Sequence, residues 1–298
     1  MGNEKLPTSH FLLALAVVAV WGSNFVVIKL TLFTLPPLLF AALRFVFALL
    51  PAIFFLPKPK VSWLNLAAYG FFIGVGQFGL LYIAVQSHIS AGLSSVVVQS
   101  QAFFTIGLAM YFAREQIRQF QFIALLVCLI GLGIIASHTD QDTDFLGLAL
   151  VLLGALSWGI GNTVSRNAGK VNMLAYVVWS SIFSVIPLII LSLIFEGWDL
   201  IQASLGGLNS TLWAAILWQS WGNTLFGFAA WAWLLARHPA AVVAPISLLV
   251  PVLGIGSAAI FLSEPLPLWK IAAATLVIAG LGINIYWPII RTRLKSSA

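Results

Sequence analysis

Eight polar side chains able to grip a solute stand inside long apolar runs: Asn24, Arg44, Gln77, Gln99, Gln101, Asn162, Gln219 and Asn223. Their chemistry is recognition. An amide both donates and accepts hydrogen bonds, and a guanidinium can hold a carboxylate through two parallel ones. Groups suited to making and breaking bonds are missing from the same runs. No Asp or Glu lies mid-run, His10, His88, His138 and His238 fall at run ends or between runs, and the single cysteine, Cys128, stands alone. General acid–base, nucleophilic and metal chemistry each need a paired or clustered set. An enzyme is therefore not expected, and neither is a metal or another cofactor. ATP-driven work would need a phosphate-cradling P-loop, which the chain lacks, and the charged rings or filter loop of an ion channel are also missing.

Spacing sorts these residues. Gln219 and Asn223 are four apart and share a helix face, whereas Gln99 and Gln101, two apart, diverge. Trp21 and Asn24, three apart, also share a face, and Gly22 between them lets another backbone approach. Tyr82, Trp158, Trp179 and Trp221 could wall a solute. Trp221 lies between Gln219 and Asn223 in the chain without being bound to their face. Arg44 stands about eight residues inside its run, roughly 12 Å deep at the rise of a helix, with no carboxylate at comparable depth. Two readings stay open: Arg44 donates to backbone carbonyls and fixes helix ends, or it attracts the carboxylate of a solute. Each amide could equally bridge two helices. Lys29 reads as a snorkelling anchor for its own helix end, and Pro245 and Pro251 read as kinks in the run that holds them.

The elements that must position these groups are apolar helices. Of 298 residues, 61% are hydrophobic and only 7% charged, against roughly a quarter charged in a soluble domain. Ten runs of about 20 residues match the length a helix needs to cross hydrocarbon. They are segments one to ten: 10–30, 36–56, 63–84, 90–112, 119–137, 145–165, 173–195, 212–236, 239–262 and 268–287. The first continues through Trp21 to Leu30 without a small-residue cleavage pattern, so it is expected to stay in the protein. The net charge of +6 would suggest a nucleic-acid partner only if its distribution were ignored. With a cytoplasmic N-terminus and alternating loops, eleven cations (Lys5, Lys58, Lys60, Arg114, Arg118, Arg166, Lys170, Arg237, Arg291, Arg293, Lys295) fall on the cytoplasmic side and two, Lys29 and Lys270, outside. That is the signature of membrane topology. Membrane lipid, not nucleic acid, is the expected surroundings, and both termini face the cytoplasm.

The chain also repeats itself. Trp21, Gly22, Asn24 and Lys29 in segment one match Trp158, Gly159, Asn162 and Arg166 in segment six, and a second register sets Gly107 against Gly256, Glu115 against Glu264 and Gly131 against Gly280. The reading is a first five-helix repeat over residues 1–137, an external acidic linker over 138–144, and a second repeat with a basic tail over 145–298. An odd number of helices per repeat inverts the second copy in the membrane, an architecture of transporters that bind solute midway between the halves. The expected fold is thus an all-α membrane protein, ten transmembrane helices in two inverted five-helix repeats.

The ten-helix layout, "WGSNF" opening segment one, "LRF" at Leu43 to Phe45, and helices ending in Glu115 and Glu264 resemble the drug/metabolite transporter superfamily and, within it, the EamA family. The stretches "PPLLFAALRF", "AGLSSVVVQSQAFFTI" and "APISLLVPVLGIGSAA" carry the same likeness. The resemblance implies a multi-pass protein of the bacterial inner membrane. It also implies export of small metabolites by alternating access, amino acids or derivatives such as O-acetylserine and cysteine foremost, with other amino acids, drugs or dyes as alternative cargo. A monomer is the working expectation. With no titrating group mid-span, facilitated efflux or exchange is expected over proton antiport. A reporter domain fused after Lys295 should read as cytoplasmic; an external reading would overturn the topology.

Overall fold

The computed structural model describes residues 6–113, 119–138, 143–238 and 243–296. Every long element among them is helical, as hydrocarbon-length apolar runs require, since only a helix satisfies its own backbone there. Eight described helices are long and apolar enough to cross a membrane, or nine if a sharply bent pair counts as one. Five of the segment starts follow capping chemistry. Ser62, Ser90, Asp144, Asn172 and Asn209 each place a side-chain oxygen on a backbone N–H of the first turn of segments three, four, six, seven and eight. Glu115 and the acidic residues of the linker before Thr143 lie outside the described residues.

Four features depart from the sequence reading. Segment two is helical only over Pro37–Leu49 before Pro51 and a short 3-10 turn, Ala52–Phe54. A helix that the reading did not include, Trp198–Gly206, precedes segment eight and meets it at 106°. Segment nine, described from Val243 onward, carries a 3-10 turn, Ala244–Leu248, before its α-helix Leu249–Phe261, and Pro245 stands at the start of that turn. Segment ten is longer, running over Leu268–Ser296.

Segments three and eight each carry a nine-residue π-helical stretch, Phe71–Gly79 and Trp218–Phe226, beginning one eight-residue α-helix after each start. Segments four and nine each contain a 3-10 turn, Val98–Ser100 and Ala244–Leu248. Departures from α geometry thus fall at matching places in the two halves. Close approaches match too. A Cβ on Gly131 of segment five would come within 2.9 Å of the Ala273 carbonyl oxygen of segment ten, and one on Gly280 of segment ten within 2.7 Å of the Ala124 carbonyl oxygen of segment five. Gly22 of segment one meets Leu253 and Gly254 of segment nine, and Gly159 of segment six meets Phe104 and Thr105 of segment four, in that same register. Reciprocal contacts of this kind are what a two-fold relation produces.

Charged side chains tie the helix ends. Glu196, after segment seven, accepts from the N–H groups of Leu38 (2.6 Å) and Leu39 (3.0 Å) at the start of segment two. Glu264 accepts from Ala91 (2.8 Å) and Gly92 (3.1 Å) at the start of segment four. Both place a carboxylate where the helix dipole favours it. His88 and Asp144 pair at 2.8 Å, and that bond, with the Gly147 N–H, holds the Asp144 carboxyl below its usual range. Lys29, in the last turn of segment one and over the ring of Phe33 at its end, also donates from Nζ to the carbonyls of Val85 (2.9 Å) and Gln86 (3.1 Å), closing the end of segment three. Cys128 is buried among Val96, Ala274, Val277 and Leu281, a packing residue.

A Cβ on Gly22 would lie 2.6 Å from Leu253 Cβ and 2.9 Å from the Val250 carbonyl oxygen, whereas one on Gly107 meets nothing within 4 Å. Gly22→Ala should therefore destabilise by about 1–3 kcal/mol as overpacking does, while Gly107→Ala melts at or above the wild-type temperature in detergent. Equal melting of the two variants would refute this packing.

Candidate functional site

Arg44 is fully buried. Segment two carries it inward on a face shared with Phe40, Ala41, Phe45 and Ala48, all buried as well. Among the described residues the guanidinium donates to no backbone carbonyl, so it does not fix helix ends in that way, and to no protein carboxylate. Instead Nε donates to Thr224 Oγ1 (3.1 Å), Nη1 to the Tyr82 hydroxyl (3.0 Å) and Gln219 Oε1 (3.0 Å), and Nη2 to Asn223 Oδ1 (2.8 Å). The Tyr82 hydroxyl also donates to Gln219 Oε1 at 3.1 Å. The Phe78 ring covers the cation, its centroid 3.6 Å from the guanidinium carbon, the geometry of a cation–π contact.

Segment two supplies the cation, segment three the phenol and the ring, and segment eight three oxygens. The π turn is why segment eight can give three. Its wider turn brings Thr224 onto the face of Gln219 and Asn223, and Thr224 Oγ1 donates to the Gln219 carbonyl five residues back at 2.9 Å. Burying a polar group unpaired costs several kcal/mol, so four oxygens around one cation make the arrangement stable. It is not fully satisfied. Gln219 Nε2 is a buried donor and Asn24 Oδ1 a buried acceptor, each without a partner among the described residues. Asn24 lies one turn beyond Trp21, whose indole N–H donates to the Asn223 carbonyl at 3.2 Å.

A cavity of about 10 Å³ opens beside Arg44, Phe78 and Thr224 and is also lined by Ser180, Ser181 and Ser184 of segment seven. It is room for about one water. A far larger groove, of about 690 Å³, runs between segments one, two, three and seven and the helix Trp198–Gly206. Its walls are mostly apolar and none of the candidate residues lines it.

Of the residues singled out from sequence, Arg44, Tyr82, Gln219 and Asn223 converge. A second, half-buried cluster joins segments six and four: Asn162 Nδ2 donates to Gln101 Oε1 (3.0 Å) and Thr105 Oγ1 (3.1 Å). Gln99 sits in the adjacent 3-10 turn, and of the two glutamines it is Gln101 that meets Asn162. Gln77 is buried with its backbone against Gly154, and Trp158 packs half-buried at the core edge. Two tryptophans lie elsewhere. Trp179 donates to the Leu56 carbonyl and Trp221, 46% exposed, to the Phe47 carbonyl, so Trp221 turns away from the face of Gln219 and Asn223. Thr224 and Phe78 were missed. The only trace of Thr224 in the sequence is its place beside Asn223, because an α-helical period puts it on another face.

The sequence profile of the EamA-like transporter family matches residues 8–137 and again residues 145–286. A protein of Salmonella typhimurium called "Probable amino-acid metabolite efflux pump" is 40% identical over 291 residues, 96% of this chain and 97% of that one. Its namesake in Escherichia coli is 38% identical over 280 residues, 92% and 94% of the two chains. One solved structure superposes with a TM-score of 0.64 at 15% identity, covering 96% of this chain and 99% of its own, a likeness of fold.

Replacing Asn223 by Leu, near it in volume, should cost about 1.5–3 kcal/mol by leaving a charged donor unpaired, read as a lower melting temperature of the purified chain in detergent. Asn223→Asp should melt at or above wild type, since it gives the guanidinium a charged partner. A wild-type melting temperature for Asn223→Leu would show that the cation is not held this way.

Proposed function

The chain belongs to the EamA-like transporter family, within the drug/metabolite transporter superfamily, and from that premise we propose that it exports amino acids or their derivatives across the bacterial inner membrane. O-acetylserine and cysteine are the derivatives that head the panel. The relatives named as amino-acid metabolite efflux pumps support the cargo class. The mechanism proposed is alternating access by two inverted five-span halves, with both termini in the cytoplasm, the 138–144 linker outside and one chain as the working unit. Matching π and 3-10 turns and the reciprocal glycine contacts support the repeat.

The observation that carries the reading is the polar cluster. Arg44 and Tyr82 come from the first half and Gln219, Asn223 and Thr224 from the second, so this buried polar cluster spans the interface that the proposed mechanism would open. Solute recognition in the proposed carrier uses this cluster first. Asn24, Gln77, Trp158 and the Asn162–Gln101 pair lie along the route, with Gln99 and Trp179 at its margins. Acidic groups take another part. Glu196 and Glu264 sit at helix N-termini, which favours facilitated efflux or exchange over proton coupling.

Purified protein in liposomes loaded with unlabelled amino acids should take up the matching labelled amino acid by counterflow, unchanged when a pH gradient is collapsed. Failure of the whole amino-acid panel would overturn the cargo class. Uptake that vanishes with the pH gradient would overturn the coupling.

A further inference from the structure

Arg44 is a cation with no anion. It is fully buried, its four bonded partners are neutral oxygens, and among the described residues no carboxylate reaches it. Hydrogen bonds to an ionised acceptor are about twice as strong as those to neutral ones, so the guanidinium is satisfied in number but not in charge. Beside it stands a second deficit. Gln219 turns its oxygen to Arg44 Nη1 and to the Tyr82 hydroxyl, and this orientation leaves Gln219 Nε2 a buried donor with no acceptor. A buried donor left unmade costs about 1–3 kcal/mol. One ligand chemistry answers both deficits: an oxyanion with two oxygens.

We infer that Arg44 and the Gln219 side-chain amide form a carboxylate receptor, in which the α-carboxylate of the transported amino acid replaces the neutral oxygens that Gln219 and Asn223 lend to Arg44 in this structure. The inference rests on the export reading above and adds to it the part of the solute that is recognised. The cavity beside Arg44, at about 10 Å³, is too small for a carboxylate, so entry requires segment eight to draw away from segments two and three. Those movements separate the halves. As Gln219, Asn223 and Thr224 leave, the guanidinium loses three of its four partners and only Tyr82, carried by its own half, stays. A carboxylate then bridges the freed Nη groups and, when segment eight returns, meets Gln219 Nε2.

Removal of Arg44 risks the fold, so the decisive variant is Gln219→Glu. It keeps an oxygen for Arg44 Nη1 and for the Tyr82 hydroxyl, removes the orphaned N–H, and supplies a built-in carboxylate that competes with any from outside. Melting temperatures of the purified full chain in detergent would be measured for wild type and Gln219→Glu. The probes are millimolar L-amino acids, the corresponding carboxamides and the corresponding decarboxylated amines. At least one amino acid should raise the wild-type melting temperature by about 2–4 °C, the scale of ligand linkage for a protein of this size, while its amide and amine do not. Gln219→Glu should be at least as stable as wild type without ligand and show no such rise. Equal stabilisation by an acid and its amide, a rise that survives in Gln219→Glu, or no rise with any acid overturns the receptor. The export reading is judged separately by counterflow: exchange of an amino acid and its amide at equal rates would leave an exporter without this receptor.

Discussion

A guanidinium in the apolar centre of a helical bundle dictates much of what surrounds it. Charge there is costly unless it is bonded, and among the described residues no acid bonds it. The burden falls on neutral oxygens, each worth less than a carboxylate, and so several are needed. Four oxygens must come from at least two further helices, and they must arrive in the plane of a rigid fork. The π stretch of segment eight follows from that demand, because it delivers three oxygens from one helix. The Phe78 ring covers one face of the cation at 3.6 Å, adding attraction without adding a charge.

Charge is distributed accordingly. The acidic side chains Glu196, Glu264 and Asp144 are spent at helix N-termini, where backbone N–H groups and the dipole receive them. Two of them, Glu196 and Glu264, belong to the second half and grip segments two and four of the first. His88 and Asp144 join segments three and six in the same sense. At other helix ends His10 Nδ1 lies 2.7 Å from His238 Nε2, connecting the start of segment one with the end of segment eight. Between these polar ties lies a continuous apolar core that joins residues of both family-matched stretches, among them Phe40, Leu81 and Leu93 with Val151, Tyr176 and Leu188.

Much of this was legible in the residue order, for reasons that can be named. Membrane spans are announced by length and hydropathy: segment seven begins and ends at the residues expected, Met173 and Phe195, and segment five ends at Ser137 as expected. The pairing of Gln219 with Asn223 followed from four-residue spacing, and both meet Arg44. What failed to show was whatever depends on local departure from α geometry or on long-range partners. Thr224 joins the cluster only because of a π turn, a feature no period in the sequence records. The Trp198–Gly206 helix escaped notice because nine residues with two prominent polar groups, Asp199 and Gln202, do not form a span. Lys29 lies in the last turn of its helix over Phe33, as a local rule expects, but its bonds to the Val85 and Gln86 carbonyls, 56 and 57 residues away, are beyond any local rule.

On the alternating-access proposal, facilitated efflux makes a demand that strict exchange does not: the empty carrier must be able to close. An exposed, unpaired guanidinium would oppose that step, since returning to the closed form would bury a bare charge. In this structure the centre is closed around Arg44 with side-chain oxygens alone. In the proposed cycle the neutral oxygens would allow unloaded return, while the weakness of a neutral acceptor relative to a carboxylate would leave them displaceable by cargo. Acid in place of Gln219 or Asn223 would satisfy the cation better and would end that balance, because the site would then hold its own counter-ion. On this argument an amide is the functional choice at both positions, strong enough to close the bundle and weak enough to yield.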